Sequence, residues 1–102
     1  MYTILWGIKA TKALKNIFDF YKPKSIKPAH KVKDDILATV SSLSNPPKYS
    51  YDPDLGAPFH RVVSRRRYRI IYFQDSNSKQ IEILYIFDAI GSSDRLKQVM
   101  AE

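Results

Sequence analysis

The chain of 102 residues has no cysteine. No disulfide can staple it and no thiolate can hold a metal or attack a substrate, a composition that fits the reducing cytoplasm. Histidine is scarce too. His30 and His60 are the only two, thirty residues apart, a poor basis for a zinc site, and no metal is expected. The three glycines are scattered and form neither a phosphate-cradling loop nor a nucleophile elbow, so no cofactor is expected either. No apolar run is long enough to span a bilayer. The opening MYTILWGIKA is interrupted at Gly7 and Lys9 and lacks a small-residue cleavage site, so it is not expected to act as a signal peptide. No membrane partner is expected.

Acid is in the minority, with 10 Asp and Glu against 17 Lys and Arg, a formal charge of +7. Such a field attracts phosphates, anionic surfaces and acidic proteins without choosing among them. The length predicts one domain over residues 1–102, too short to divide into two units that each bury a core. Hydrophobic residues make up 44% of the chain, with seven tyrosines, five phenylalanines and one tryptophan. That is enough to fill a core and argues against disorder.

Thr3 to Trp6 is a short run of β-branched, aliphatic and aromatic residues and predicts a strand. From Lys9 the period changes to that of a helix. Ala10, Ala13, Leu14, Ile17, Phe18 and Tyr21 recur at three- and four-residue steps while Lys12, Lys15, Asp19 and Lys22 take the other face, and Pro23 ends the pattern. A second helix is predicted from an N-cap at Ser25, with Ala29, Val32, Ile36, Val40 and Leu43 on its apolar stripe. It stops before Asn45-Pro46-Pro47. Two helices so close in sequence form an antiparallel hairpin. The eight lysines from Lys9 to Lys33 read as its solvated outer face.

Pro46 to Pro58 is punctuated by turn formers and predicts the longest loop. Strands follow over Phe59 to Ser64, Tyr68 to Asp75 and Gln80 to Phe87, with Arg65 to Arg67 and Ser76 to Ser78 as turns. In the last strand Ile81, Ile83, Tyr85 and Phe87 alternate with Glu82, Leu84, Ile86 and Asp88, which puts the first set on one face. A short terminal helix is expected from Ser92 to Ala101, with Asp94 near its start. The order β-α-α-β-β-β predicts an α+β fold, an N-terminal helical hairpin on one face of a mainly antiparallel four-stranded sheet. Its other face is then expected to be free.

The stretch HRVVSRRRYRIIY, His60 to Tyr72, holds five of the six arginines. Alternation puts Phe59, Arg61 and Val63 on one face of their strand and Arg69, Ile71 and Phe73 on one face of the next. Arginines on the uncovered side would form a basic floor, a fixed lattice of bidentate donors suited to phosphate. The triplet Arg65 to Arg67 also reads as a solvated turn. Tyr49 and Tyr51 suit base stacking or packing at the domain edge, Trp6 suits the core, and His30 reads as a boundary residue.

The helical hairpin, the Pro-rich loop, and then HRVVSRRRYRIIYFQD and QIEILYIFD together resemble the RelE/ParE toxins of bacterial type II toxin–antitoxin systems. The resemblance spans roughly Thr3 to Leu96, and its most specific element is Tyr68-Arg69-Ile70-Ile71-Tyr72 before a polar turn and an aliphatic strand. It implies one scaffold with two activities. RelE-type members cut messenger RNA on the ribosome, ParE-type members poison DNA gyrase without cutting anything themselves, and both are neutralised by an antitoxin that wraps them. The resemblance gives Arg69 the role of holding the scissile phosphate and puts Arg61 where a strand cation faces RNA. The chain departs at Ile90, which stands where an arginine is expected, and no tyrosine follows Tyr85. The RNA-cutting set is therefore incomplete.

Attack by a 2'-hydroxyl needs a base, cations for the phosphorane and an acid for the leaving oxygen. Arg61 and Arg69 suit the second role. His60, Tyr72, Tyr85 and Lys48 are the candidates for proton transfer, and His60 has the best intrinsic pKa, although alternation turns it away from Arg61. Catalytic roles are thus expected for Arg61, Arg69 and His60, and nucleic-acid contacts for Arg61, Arg65, Arg66, Arg67, Arg69 and Lys48. The reading taken forward is a cytoplasmic toxin that cleaves messenger RNA on the ribosome and is masked by an acidic antitoxin. Gyrase inhibition is the alternative, and an inactive relative that only binds antitoxin or nucleic acid is the third.

Overall fold

The structure, a computed structural model, describes residues 1–48, 50–88 and 100. Tyr49, Ile90 and the helix expected over Ser92 to Ala101, apart from Met100, lie outside the described residues. The elements run β1 (Thr3–Trp6), α1 (Ile8–Tyr21), α2 (Ile26–Ser41) with a 3-10 turn at Ser42–Ser44, β2 (His60–Ser64), β3 (Tyr68–Asp75) and β4 (Gln80–Asp88). This is the α+β order expected. The strands lie side by side as β1-β4-β3-β2, with β1 parallel to β4 and the other neighbours antiparallel.

The helices sit where their apolar stripes demand. Ala29, Val32, Ile36, Val40 and Leu43 are all buried, as are Ala10 and Ala13 of α1. They close over Ile81, Ile83 and Ile86 of β4 and Tyr68, Ile70 and Tyr72 of β3 in one core. Small residues on α1 let its backbone come close to the sheet. Gly7, between β1 and α1, donates its N–H to the Ile83 carbonyl at 2.8 Å. A Cβ on Gly7 would lie 2.8 Å from that same oxygen, so only glycine allows the chain to leave β1 there.

Two expectations are corrected. The pairing of β3 with β4 slips between Ile71↔Tyr85 and Tyr72↔Ile83, which leaves Leu84 as an extra residue. This bulge resets the alternation of β4. Ile81 and Ile83 therefore share the helix side with Ile86, while Phe87 turns to the opposite side.

The second correction is that the opposite side is not free. Ile71 and Phe87 are buried there beneath Leu55, Phe59 and Met100, a second and smaller core. Its cover comes from the Pro-rich segment, which does not wander as an open loop. Ser50 accepts from the Arg61 N–H and Asp52 donates to the Phe59 carbonyl, so residues 50–52 run against the outer edge of β2 before the chain folds back through Gly56, at φ 70°.

Candidate functional site

Arg61 stands opposite Ile71, and Arg69 stands opposite Val63. The two arginines are therefore diagonal neighbours on the face turned away from the helices. Their surroundings differ. The Arg69 guanidinium donates to Asp52 at 3.2 Å and to Asp54 at 2.6 Å, and its side chain is only 16% exposed. Asp52 is completely buried. Its other carboxylate oxygen accepts the backbone N–H groups of Asp54 and Leu55, each at 2.9 Å, which winds the DPDLG segment into a tight turn. The expected floor of open arginines is thus closed at Arg69 by two carboxylates.

Three further arginines line the turn between β2 and β3. Arg65 and Arg66 hold positive φ angles of 57° and 55°, a conformation that costs a non-glycine residue about 1–2 kcal/mol. Arg65 reaches across to Asp35 of α2 in an ion pair. That contact holds the Asp35 carboxyl below the usual carboxylate range. Arg67 forks onto Asp88, with contacts of 2.8, 3.1 and 3.3 Å, and donates to the Tyr21 hydroxyl at 2.8 Å. Tyr21 in turn shares a hydrogen bond of 3.0 Å with Tyr68. Burial, and then this bond, push the Tyr68 hydroxyl up from its ordinary value. Arg67 thereby ties α1, β3 and β4 together at the rim of a cleft of about 540 Å³ lined by Ile17, Phe20, Tyr85 and Phe87.

His60 lies on the other side of β2. Its ring stacks between Tyr51 and Tyr72, with centroids at 4.5 and 5.2 Å. Its Nδ1 is 2.8 Å from the Ser50 hydroxyl, which is also 2.8 Å from the Tyr72 hydroxyl. Burial pushes the imidazole below its ordinary value and so favours the neutral ring. The Ser50 hydroxyl thus bridges the imidazole and the Tyr72 hydroxyl, donating to one and accepting from the other. The chain of bonds pins residue 50 to the sheet.

Lys48 is exposed and lines a shallow depression with Tyr2 and Gln74. Gln74 and Tyr68 mark opposite ends of β3, roughly 20 Å apart at about 3.3 Å per residue. The residues singled out from sequence are thus divided. Arg61 and Arg69 share one face, His60 takes the other, Arg65 to Arg67 form one end and Lys48 sits at the opposite end. Asp52 and Asp54 escaped the sequence reading. Their signal was two acids in a proline- and glycine-punctuated loop directly before an arginine-rich hairpin.

Among the described residues no three or more His, Asp or Glu side chains gather to hold a metal, and no helix is long and apolar enough to cross a membrane. The sequence model for the ParE toxin of the type II toxin-antitoxin system parDE matches residues 4–89. A solved structure from the chromosomal ParDE toxin–antitoxin system of P. aeruginosa superposes with a TM-score of 0.74 at 23% identity, covering 86% of this chain and 96% of that one. That likeness speaks to the fold. No curated protein sequence matches the chain.

Proposed function

Because the chain belongs to the ParE toxin family of type II toxin–antitoxin systems, we propose that it is a toxin of the gyrase-inhibiting kind. It acts in the cytoplasm by binding DNA gyrase, and an acidic antitoxin holds it inactive. The observation that carries this reading is the closure of Arg69 by Asp52 and Asp54. A guanidinium that cradles a scissile phosphate must offer its donors to that phosphate. Here two carboxylates take the Nη1 donors and offset the charge.

Messenger RNA cleavage draws further objections from the same geometry. His60, the best proton carrier by intrinsic pKa, lies across the strand from Arg61 and Arg69 and is engaged by Ser50. A base and its phosphate-binding cations need to converge within hydrogen-bond reach of one reacting group. An inhibitor that works by binding needs no such convergence. The net charge of +7 suits both an acidic antitoxin and a target that carries DNA. The P. aeruginosa relative, a toxin–antitoxin system by its description, supports the antitoxin as partner.

The test is a plasmid supercoiling reaction with purified gyrase. The toxin should inhibit supercoiling and accumulate cleaved plasmid after protein denaturation, and Arg61→Ala should leave that effect intact. Codon-phased cuts mapped by primer extension in a translating extract, with gyrase unaffected, would overturn the proposal in favour of the RNA-cutting branch.

A further inference from the structure

Positive charge is neutralised unevenly over this chain. Arg65, Arg67 and Arg69 are each engaged by a carboxylate. The segment from Phe20 to Lys33 holds five lysines and no acid. It contains the tip of the helical hairpin, where the chain turns from α1 into α2 between Tyr21 and Ile26. Every residue from Lys22 to Pro28 is exposed. Lys31 pairs with Asp35, and Lys33 lies over the Phe18 ring. Lys22, Lys24 and Lys27 meet no carboxylate among the described residues.

Two large apolar side chains stand among those three lysines. Phe20 is 57% exposed and Ile26 is 47% exposed. The Lys24 ammonium sits 4.4 Å from the centre of the Phe20 ring, so the charge is held against the aromatic face. Exposed aromatic surface ringed by unpaired cations is costly to leave in water and self-repelling unless a polyanion covers it.

We propose that this tip, Phe20 and Ile26 with Lys22, Lys24 and Lys27, is a docking surface for duplex DNA. The choice of DNA as the polyanion rests on the gyrase reading, since gyrase presents a duplex to whatever binds beside it. The chemistry is sequence-independent. Three flexible ammonium groups contact phosphates as point charges, and the ring and the aliphatic side chain pack against sugar or a base edge. The two apolar side chains alone give little insertion into a bilayer, which sets the duplex above a membrane as occupant.

Fluorescence anisotropy of a labelled 24-base-pair duplex, titrated with the full-length protein between 50 and 200 mM salt, tests this directly. Each lysine on a phosphate adds about 0.9 to the slope of log affinity against log salt. Lys22→Gln/Lys24→Gln/Lys27→Gln should therefore flatten the slope by about 2.7 units, with circular dichroism unchanged and melting not lowered, because all three side chains are exposed and their mutual repulsion is relieved. Phe20→Ala should weaken binding roughly tenfold at any one salt concentration and leave the slope alone. An unaltered slope in the triple variant overturns the proposal. So does the absence of duplex binding at 50 mM salt, a preference for an RNA hairpin, or lysine-dependent binding to phosphatidylglycerol vesicles in place of DNA. Gyrase is absent from this measurement, so the two readings fail separately. A toxin that inhibits gyrase without binding the duplex sinks only the docking surface, and lysine-dependent duplex binding without any effect on gyrase sinks only the target.

Discussion

Asp52, with no exposed surface, lies 3.2 Å from the guanidinium of Arg69, so the arginine of the YRIIY element is the partly buried counter-ion of a buried carboxylate. Removing one member of such a pair leaves the other charged and without its partner. The cost is then larger than the pair's own net contribution. Arg69→Ala should destabilise the fold by about 3–5 kcal/mol in urea unfolding. Arg69→Met combined with Asp52→Asn should lose less than the two single changes together. Lost toxicity in Arg69→Ala with stability unchanged would mean that the guanidinium meets the target itself.

Arg66 gives a change in the opposite direction. It is exposed and holds a φ of 55°, so its side chain adds strain and little packing. Arg66→Gly should stabilise by about 1 kcal/mol, a rise in melting temperature of roughly 4–8 °C. A lower melting temperature would show that the arginine side chain makes a stabilising contact that outweighs its backbone cost.

His60 makes stability depend on pH. Burial depresses its imidazole in the folded protein, whereas the unfolded chain protonates at about 6.5. The unfolded state therefore takes up the proton first as pH falls. The contribution of His60 is complete above about pH 6.5 and is lost as pH drops through the folded value. NMR titration should place the His60 midpoint below 6.5. Urea midpoints measured between pH 7 and pH 5 should fall less steeply in His60→Gln than in the parent, and parallel slopes would contradict this.

Gly7 is the tightest steric point among the described glycines, with the Ile83 oxygen 2.8 Å from where a Cβ would stand. Gly7→Ala should push β1 away from β4 and cost about 1–3 kcal/mol. Hydrogen exchange should show the loss first at Gly7 itself, whose N–H bonds that same oxygen. Unchanged protection there would mean that the backbone yields at little cost.

The sequence by itself determined the elements and their order. Helical and strand periods are local properties, and they placed Thr3–Trp6 and Tyr68–Asp75 at the bounds observed and the other elements among the described residues within a residue or two. The stripe Ala29, Val32, Ile36, Val40 and Leu43 marked its buried face for the same reason. Alternation also put Arg61 and Arg69 on one face, because pleating is fixed by the backbone. Only the tertiary structure decided what those side chains meet. The bulge at Leu84 depends on how two strands fit side by side, and no single-strand pattern encodes it. The closure of Arg69 depends on Asp52 and Asp54 returning across the sheet from seventeen and fifteen residues away. Charge counted along a chain says how much is present. Which charges are neutralised is settled by contacts between distant segments, and here these engage arginines at the sheet while the lysines of the hairpin tip stay open.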